Sequence, residues 1–172
     1  MLYQDEGTFY RQPSQARLWS QMGRSQPKMR YSNRANTQMR VVAYLNAVSG
    51  AVHHSDMKSV TAVRLAKNVA QISEWYPQAE RIYLVWDNWP VHHHEKVLAA
   101  LGRQRRVEVL WLPTYAPWLN AIEKTWRWVR QSVAHAHPWC DDFREFRRQV
   151  QAQFERLREG SREHLRYVGL ST

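Results

Sequence analysis

Three carboxylates occupy positions that a simple surface role would not require. Asp5 interrupts the opening run LYQDEGTFY, Asp87 directly follows RIYLVW, and Glu123 follows LWLPTYAPWLNAI. Aspartate is disfavoured inside a strand, so Asp5 either faces solvent or serves a site. Asp87 ends a run that is apolar without interruption, as expected of a strand buried on both faces. Ligands gather at the carboxyl ends of such strands in open α/β sheets. The competing explanation is local: Asp87 or Asn88 caps a helix opening at Pro90. Glu123 has a local explanation too. With Asn120 as N-cap, Asn120-Ala-Ile-Glu123 approximates a capping box, and Glu123 and Arg127 form an i, i+4 pair. On that helix the apolar stripe is Ile122, Trp126, Val129 and Val133. Glu123 lies on its flank, with Arg127 and Arg130 on the same side. Taken together, carboxylates of this kind suit Mg²⁺, which is held by a few carboxylates and substrate phosphate oxygens. Two such ions about 3.5–4 Å apart serve phosphodiester chemistry by activating one oxygen and stabilising the other.

The elements that would position these groups follow from hydrophobic period. Residues 1–10 read as a strand, 16–22 (ARLWSQM) as a second and 38–48 (QMRVVAYLNAV) as a third. Ser49-Gly50 turns the chain into a short fourth, AVHHS. From Ser59 to Tyr76 the period becomes helical, and Pro77 stops it. RIYLVW is a central strand, Pro90 opens a helix reaching Leu101, and VEVLWL (107–112) is a further strand. Pro113 and Pro117 stiffen the approach to a helix beginning near Ala121. The chain breaks near His137-Pro138 and ends in an amphipathic helix from Asp141 to about Glu159. Leading strands followed by alternating helices and strands predict an α/β layered fold.

Composition sets the partner class. The chain has 172 residues, 44% of them hydrophobic, enough for one domain with a sizeable core. Its net charge of +10 points to a polyanion, most plausibly nucleic acid. The charge is uneven. From Gly7 to Ser55 there is no acidic residue, but there are Arg11, Arg17, Arg24, Lys28, Arg30, Arg34 and Arg40. Residues 23–38 form a long polar loop, expected to contact phosphates through Arg24, Lys28, Arg30 and Arg34. A single cysteine, Cys140, excludes an internal disulfide and fits a reducing cytosol. No signal peptide or membrane-length apolar run is visible, so a cytoplasmic protein is expected, nucleoid-associated when bound to DNA.

The sequence resembles the RNase H-like catalytic domain of DDE transposases, in the bacterial insertion-sequence branch of the mariner superfamily. The resemblance rests on Asp5-Glu6, on Trp19, Gly23 and Pro27 within LWSQMGRSQP, on Asp87-Asn88 with His92, and on LPTYAPWLNAIEKTW. That last stretch is similar to the family's Leu-Pro-x-Tyr-Ser-Pro-x-Leu-Asn-Pro-x-Glu-x-x-Trp pattern, with Ala116 for the usual Ser and Ala121 for the usual Pro. The interval from Asp87 to Glu123 falls in the superfamily's range. The resemblance implies a mixed central sheet, leading antiparallel strands then parallel ones, flanked by helices. It implies Asp5, Asp87 and Glu123 as a triad holding two Mg²⁺ or Mn²⁺ ions. The expected activity is cleavage and strand transfer of transposon-end DNA by a homo-oligomer assembled on that DNA. Family members usually carry N-terminal helix-turn-helix modules. Residues 1–172 are therefore expected to be one catalytic domain, with that region absent from it and supplied by an upstream-encoded partner or fusion. The alternatives are a nuclease or resolvase without strand transfer, and an inactive DNA-binding remnant.

Among lesser features, His92 is expected to hold DNA or an active-site carboxylate, and Asn88, Arg127 and Arg130 to contact DNA. His93 and His94 read as solvated. Of nine tryptophans, Trp75, Trp86, Trp111 and Trp126 are placed like core residues. Trp89, Trp118 and Trp128 are placed to face nucleic acid or a partner.

Overall fold

The apolar runs of the first half pair into the sheet they predict. In the computed structural model, which describes residues 1–15, 19, 21–26, 29–34 and 36–171, five strands are arranged in the order β3-β2-β1-β4-β5. They are β1 Leu2–Tyr10, β2 Gln38–Asn46, β3 Val52–Met57, β4 Ile82–Trp86 and β5 Val107–Trp111. β1 pairs antiparallel with β2 along its full length, and β2 with β3. β4 runs parallel to β1 and β5 parallel to β4. The mixed sheet, antiparallel strands first and parallel strands after, is the one expected.

Alternation along the strands divides the core. Phe9, Val41, Ala43 and Leu45 face one layer, packed by α4 (Ile122–Val129), α5 (Phe143–Arg156) and α6 (Arg162–Val168). Leu2, Val42, Tyr44, Leu84 and Trp86 face the other, packed by α1 (Ala62–Val69), α2 (Ile72–Trp75) and α3 (Glu95–Gly102). α5 is held by Phe146, Val150 and Phe154, spaced four apart and all buried, with Asp142 accepting the Glu145 amide at its start.

Several local expectations change. The helix over 59–76 divides, because the Gln71 amide bonds Asn68 O, three residues back, and tightens the chain. Pro90 does not open a helix. Turn bonds from His92, His93 and His94 to Trp89, Pro90 and Val91 carry the chain on, and the His94 side chain caps α3 by accepting from the Lys96 amide. β5 lies at the sheet edge, so Trp111 is 39% exposed rather than core. After Val129, residues Arg130–Ala134 continue as a wider π-helical turn. A terminal helix, α6, adds to the expected elements; Ser161 caps its start and Gly169, at φ 81°, ends it. The strand expected over 16–22 falls mainly on residues outside those described, and Trp19, Gln21 and Met22 belong to no strand. Cys140 is buried and free. Among the described residues no helix is long and apolar enough to cross a membrane.

Candidate active site

The parallel pairing of β1 and β4 sets the site. Leu2 lies opposite Leu84 and Tyr3 opposite Val85, and the pairing stops there. The same offset carried two residues further sets Asp5 level with Asp87, where the strands part. The chain after β5 then returns through Pro113 and Pro117 to deliver Glu123 in the first turn of α4. Asp5, Asp87 and Glu123 all line one cavity of about 280 Å³, together with Asn88, Trp89, Tyr115 and Asn120.

Each carboxylate is held differently. Asp5 accepts a 2.8 Å hydrogen bond from the indole Nε1 of Trp126. The ring can reach because residue 7 is glycine: a Cβ there would stand 2.7 Å from Trp126 Cε3. Burial, then the Glu6 charge, raise the Asp5 pKa to about 7 despite the indole bond. Asp87 Oδ1 accepts from the Trp89 amide at 3.0 Å and from His92 Nδ1 at 2.8 Å. Burial works against its ionisation, but the imidazole and that amide win and lower its pKa. Glu123 is raised by burial and by Asp87, against the opposing pull of Arg130.

Behind Asp87 lies a group that sequence reasoning missed. Alternation sends Glu6 to the opposite face from Asp5, where its Oε1 meets His92 Nε2 at 3.2 Å and accepts from Gln4 Nε2 at 2.8 Å. His92 is fully buried, stacked on Trp86 at 4.1 Å, and bridges Glu6 to Asp87. Burial alone would keep the imidazole neutral. The two carboxylates outweigh it and raise its pKa to about 9. The pattern Asp5-Glu6 carried the signal, since adjacent strand residues face opposite ways. His92 has no exposed surface and its two ring nitrogens are taken up by the carboxylates.

Asn120 also departs from its expected role. Its side chain caps no helix and forms no capping box with Glu123; Nδ2 instead donates to Gln4 O at 2.9 Å, tying the α4 approach to β1. Its Oδ1 is buried without a donor, leaving an acceptor in the wall of the cavity. Asn88 is committed to Leu112 O and to His93 Nε2, joining the ends of β4 and β5. A groove of about 770 Å³ adjoins the cavity through Asn120 and Glu123 and is lined by Lys124, Arg127, Arg130 and Trp118. Trp128 turns away from it to pack on Tyr167 and His164. In the basic loop Arg24, Arg30 and Arg34 are exposed but line neither cavity nor groove, and Lys28 lies outside the described residues.

The donor set suits a hard divalent cation: carboxylates close enough that Glu123 helps raise the pKa of Asp5 and Asp87 that of Glu123, an orphaned amide oxygen and no thiolate. Among the described residues no three His, Cys, Asp or Glu side chains stand close enough to surround an ion unaided. Such an ion would draw on one or two carboxylates, with water and substrate oxygens completing its shell.

Known proteins share this fold. Residues 1–163 match the family model described as DDE superfamily endonuclease. The chain is 22% identical over 137 residues to the insertion element IS630 uncharacterized 39 kDa protein of Shigella sonnei, covering 80% of this chain and 39% of the relative. The Mos1 mariner paired-end complex with Mn superposes with a TM-score of 0.71 at 15% identity, over 98% of this chain and 51% of that one. The catalytic domain of Mos1 mariner transposase gives 0.61 at 12%, over 98% and 74%. These likenesses establish the RNase H-like fold. The chain spans about two fifths of the curated relative and about half of the Mos1 chain in its complex.

Proposed function

Because the chain belongs to the DDE superfamily endonucleases, we propose that it is the catalytic part of a transposase that cuts transposon-end DNA and joins it to a target. The observation that carries this is the meeting of Asp5, Asp87 and Glu123, from three separate elements, in one cavity. These residues would hold Mg²⁺ or Mn²⁺, two ions when the substrate is engaged. Bound there, the metal would make an oxygen nucleophile available near neutral pH and offset charge on the leaving oxygen. The Mn in the Mos1 complex supports this choice of cation.

The chain's own groups do the positioning. Trp126 fixes Asp5, the Glu6–His92 pair fixes Asp87, and the Asn120 tie fixes the start of α4 beneath Glu123. Lys124, Arg127 and Arg130 offer the adjoining groove to backbone phosphates. Residues 1–172 serve as one catalytic domain, working as a homo-oligomer on DNA whose ends are recognised by a helix-turn-helix segment outside it.

Asp87→Asn removes a charge while keeping side-chain volume. It should abolish nicking of end-containing DNA in Mg²⁺ or Mn²⁺ and leave DNA binding within about twofold, because phosphate attraction comes from the basic residues. Full nicking by that variant, or by the parent in excess chelator, would refute the assignment. Joining of a precut end to target DNA separates a transposase from a nuclease that only hydrolyses.

A further inference from the structure

Three large aromatic side chains stand in solvent around the carboxylates. Tyr115 is 90% exposed, Trp118 78% and Trp89 38%. They lie on the two loops that deliver the acidic groups, Trp89 just after Asp87 and the other two on the approach to Glu123. Trp89 and Tyr115 line the carboxylate cavity itself; Trp118 lines the adjoining groove with Lys124, Arg127 and Arg130. Local features shape two of these positions. The Trp89 amide bonds Asp87, and its ring meets His92 edge-on at 5.5 Å. Tyr115 takes φ 61°, in the left-handed region that residues with a side chain seldom adopt. Tyr115 and Trp118 have no aromatic partner among the described residues.

Exposed rings beside a cationic groove match one chemistry: a polyanion that also carries flat π faces. We propose that Trp89, Tyr115 and Trp118 form a stacking subsite for unpaired nucleobases flanking the phosphate held at the carboxylates. In closed duplex both faces of a base are covered by its neighbours, so these rings can engage only frayed, melted or single-stranded nucleotides. The subsite thereby favours strand ends and opened DNA over intact duplex. The proposal rests on the nucleic-acid function proposed above and names the substrate form that the same site selects.

The test reads binding, not cutting, and uses the full chain with Asp87→Asn, so its outcome is independent of whether the chain nicks DNA. A single-stranded oligonucleotide and the blunt duplex of the same sequence are titrated, each with 2-aminopurine as the base probe. The single strand should bind more tightly, with 2-aminopurine quenched. Adding Tyr115→Ala or Trp118→Ala should weaken single-strand binding by roughly five- to 150-fold for each base that no longer stacks. Duplex affinity should stay within about twofold, and the quench should disappear. Tyr115→Phe and Trp118→Phe should restore most of the affinity, because the π face is kept. Equal losses for single strand and duplex would assign the effect to phosphate binding or fold and overturn the proposal. Unchanged oligonucleotide binding accompanied by a change in sedimenting mass would overturn it too, by making the patch a protein contact.

Discussion

Asp87 is positioned by a residue that never reaches the cavity. Glu6 and Asp87 grip the two nitrogens of a fully buried imidazole, and the bridge carries a positive charge because two carboxylates outweigh its burial. Removing one end should loosen the other. Groups that orient a ligand typically account for 10–100-fold in metal affinity or activity, so Glu6→Ala should weaken Mn²⁺ binding by about that factor. Glu6→Gln, which retains an acceptor for His92, should lose less. Glu6 also raises the Asp5 pKa through its charge, an effect of opposite sign. A titration followed by electron paramagnetic resonance at pH 8 minimises it, since Asp5, with a pKa of about 7, is then mostly ionised. Equal losses in Ala and Gln, or none in either, would show that the bridge does not position Asp87. The three carboxylates were legible from their places at a strand interior, a strand end and a helix start. The bridge was not, because strand period shows which face Glu6 takes but not what meets it there.

At the scale of elements, contact between β1 and α4 aligns the site. Gly7 admits the Trp126 ring, and the ring brings its N–H to Asp5. Gly7→Ala should overpack this contact at a cost of about 1–3 kcal/mol, seen as a lower melting temperature. Trp126→Phe in the same chain should recover part of that stability without restoring the bond to Asp5. A Gly7→Ala protein as stable as the parent would mean that the ring shifts freely. On the far side of α4, His164 joins α6 to the rest: its Nδ1 donates to Gly50 O at 2.9 Å and its Nε2 accepts from Thr125 at 3.1 Å. Burial lowers its pKa below 6.5 against the opposing Gly50 bond. Its contribution to stability is therefore complete above pH 6.5 and is lost as pH falls through the lower folded value. His164→Gln should flatten that acid limb in denaturation measured against pH; an identical slope would exclude this linkage. The strands β1, β2 and β4 could be read from apolar runs, but α6 could not, since its short length offers only Leu165 and Val168 as a stripe. The turn after Pro90 departs from the expected helix for a different reason: His92 is drawn inward onto Trp86 and between Glu6 and Asp87, which a helix begun at Pro90 does not provide for.

Over the whole molecule, charge is divided by use. Arg11, one of the seven basic residues in the acid-free stretch, is 4% exposed and donates to Ser32 Oγ and Arg34 O, so it fastens the base of the loop rather than meeting DNA. Ser14 adds a second tie, exchanging backbone bonds with Ala134 and Ala136 beyond α4. The loop is tied at Arg11 and Ser14 and exposed at Arg24, Arg30 and Arg34, and among the described residues none of these three arginines pairs with a carboxylate, so the favourable partner of their charge is external. Composition made this asymmetry legible, but it could not separate the arginine that builds the loop from those that face solvent. Replacing Arg24, Lys28, Arg30 and Arg34 together by Gln should weaken binding uniformly across DNA sequences. Each phosphate that is no longer neutralised should flatten the log–log dependence of affinity on salt by about 0.9. Stability should change by less than about 0.5 kcal/mol, as is usual for exposed surface positions. Arg11→Gln should behave in the opposite way, lowering the melting temperature first and altering the salt slope only as far as the loop loses its shape. Parallel titrations of the two variants against salt concentration decide the matter. A slope unchanged by the fourfold replacement would leave Lys124, Arg127 and Arg130 of the groove to neutralise the phosphates alone.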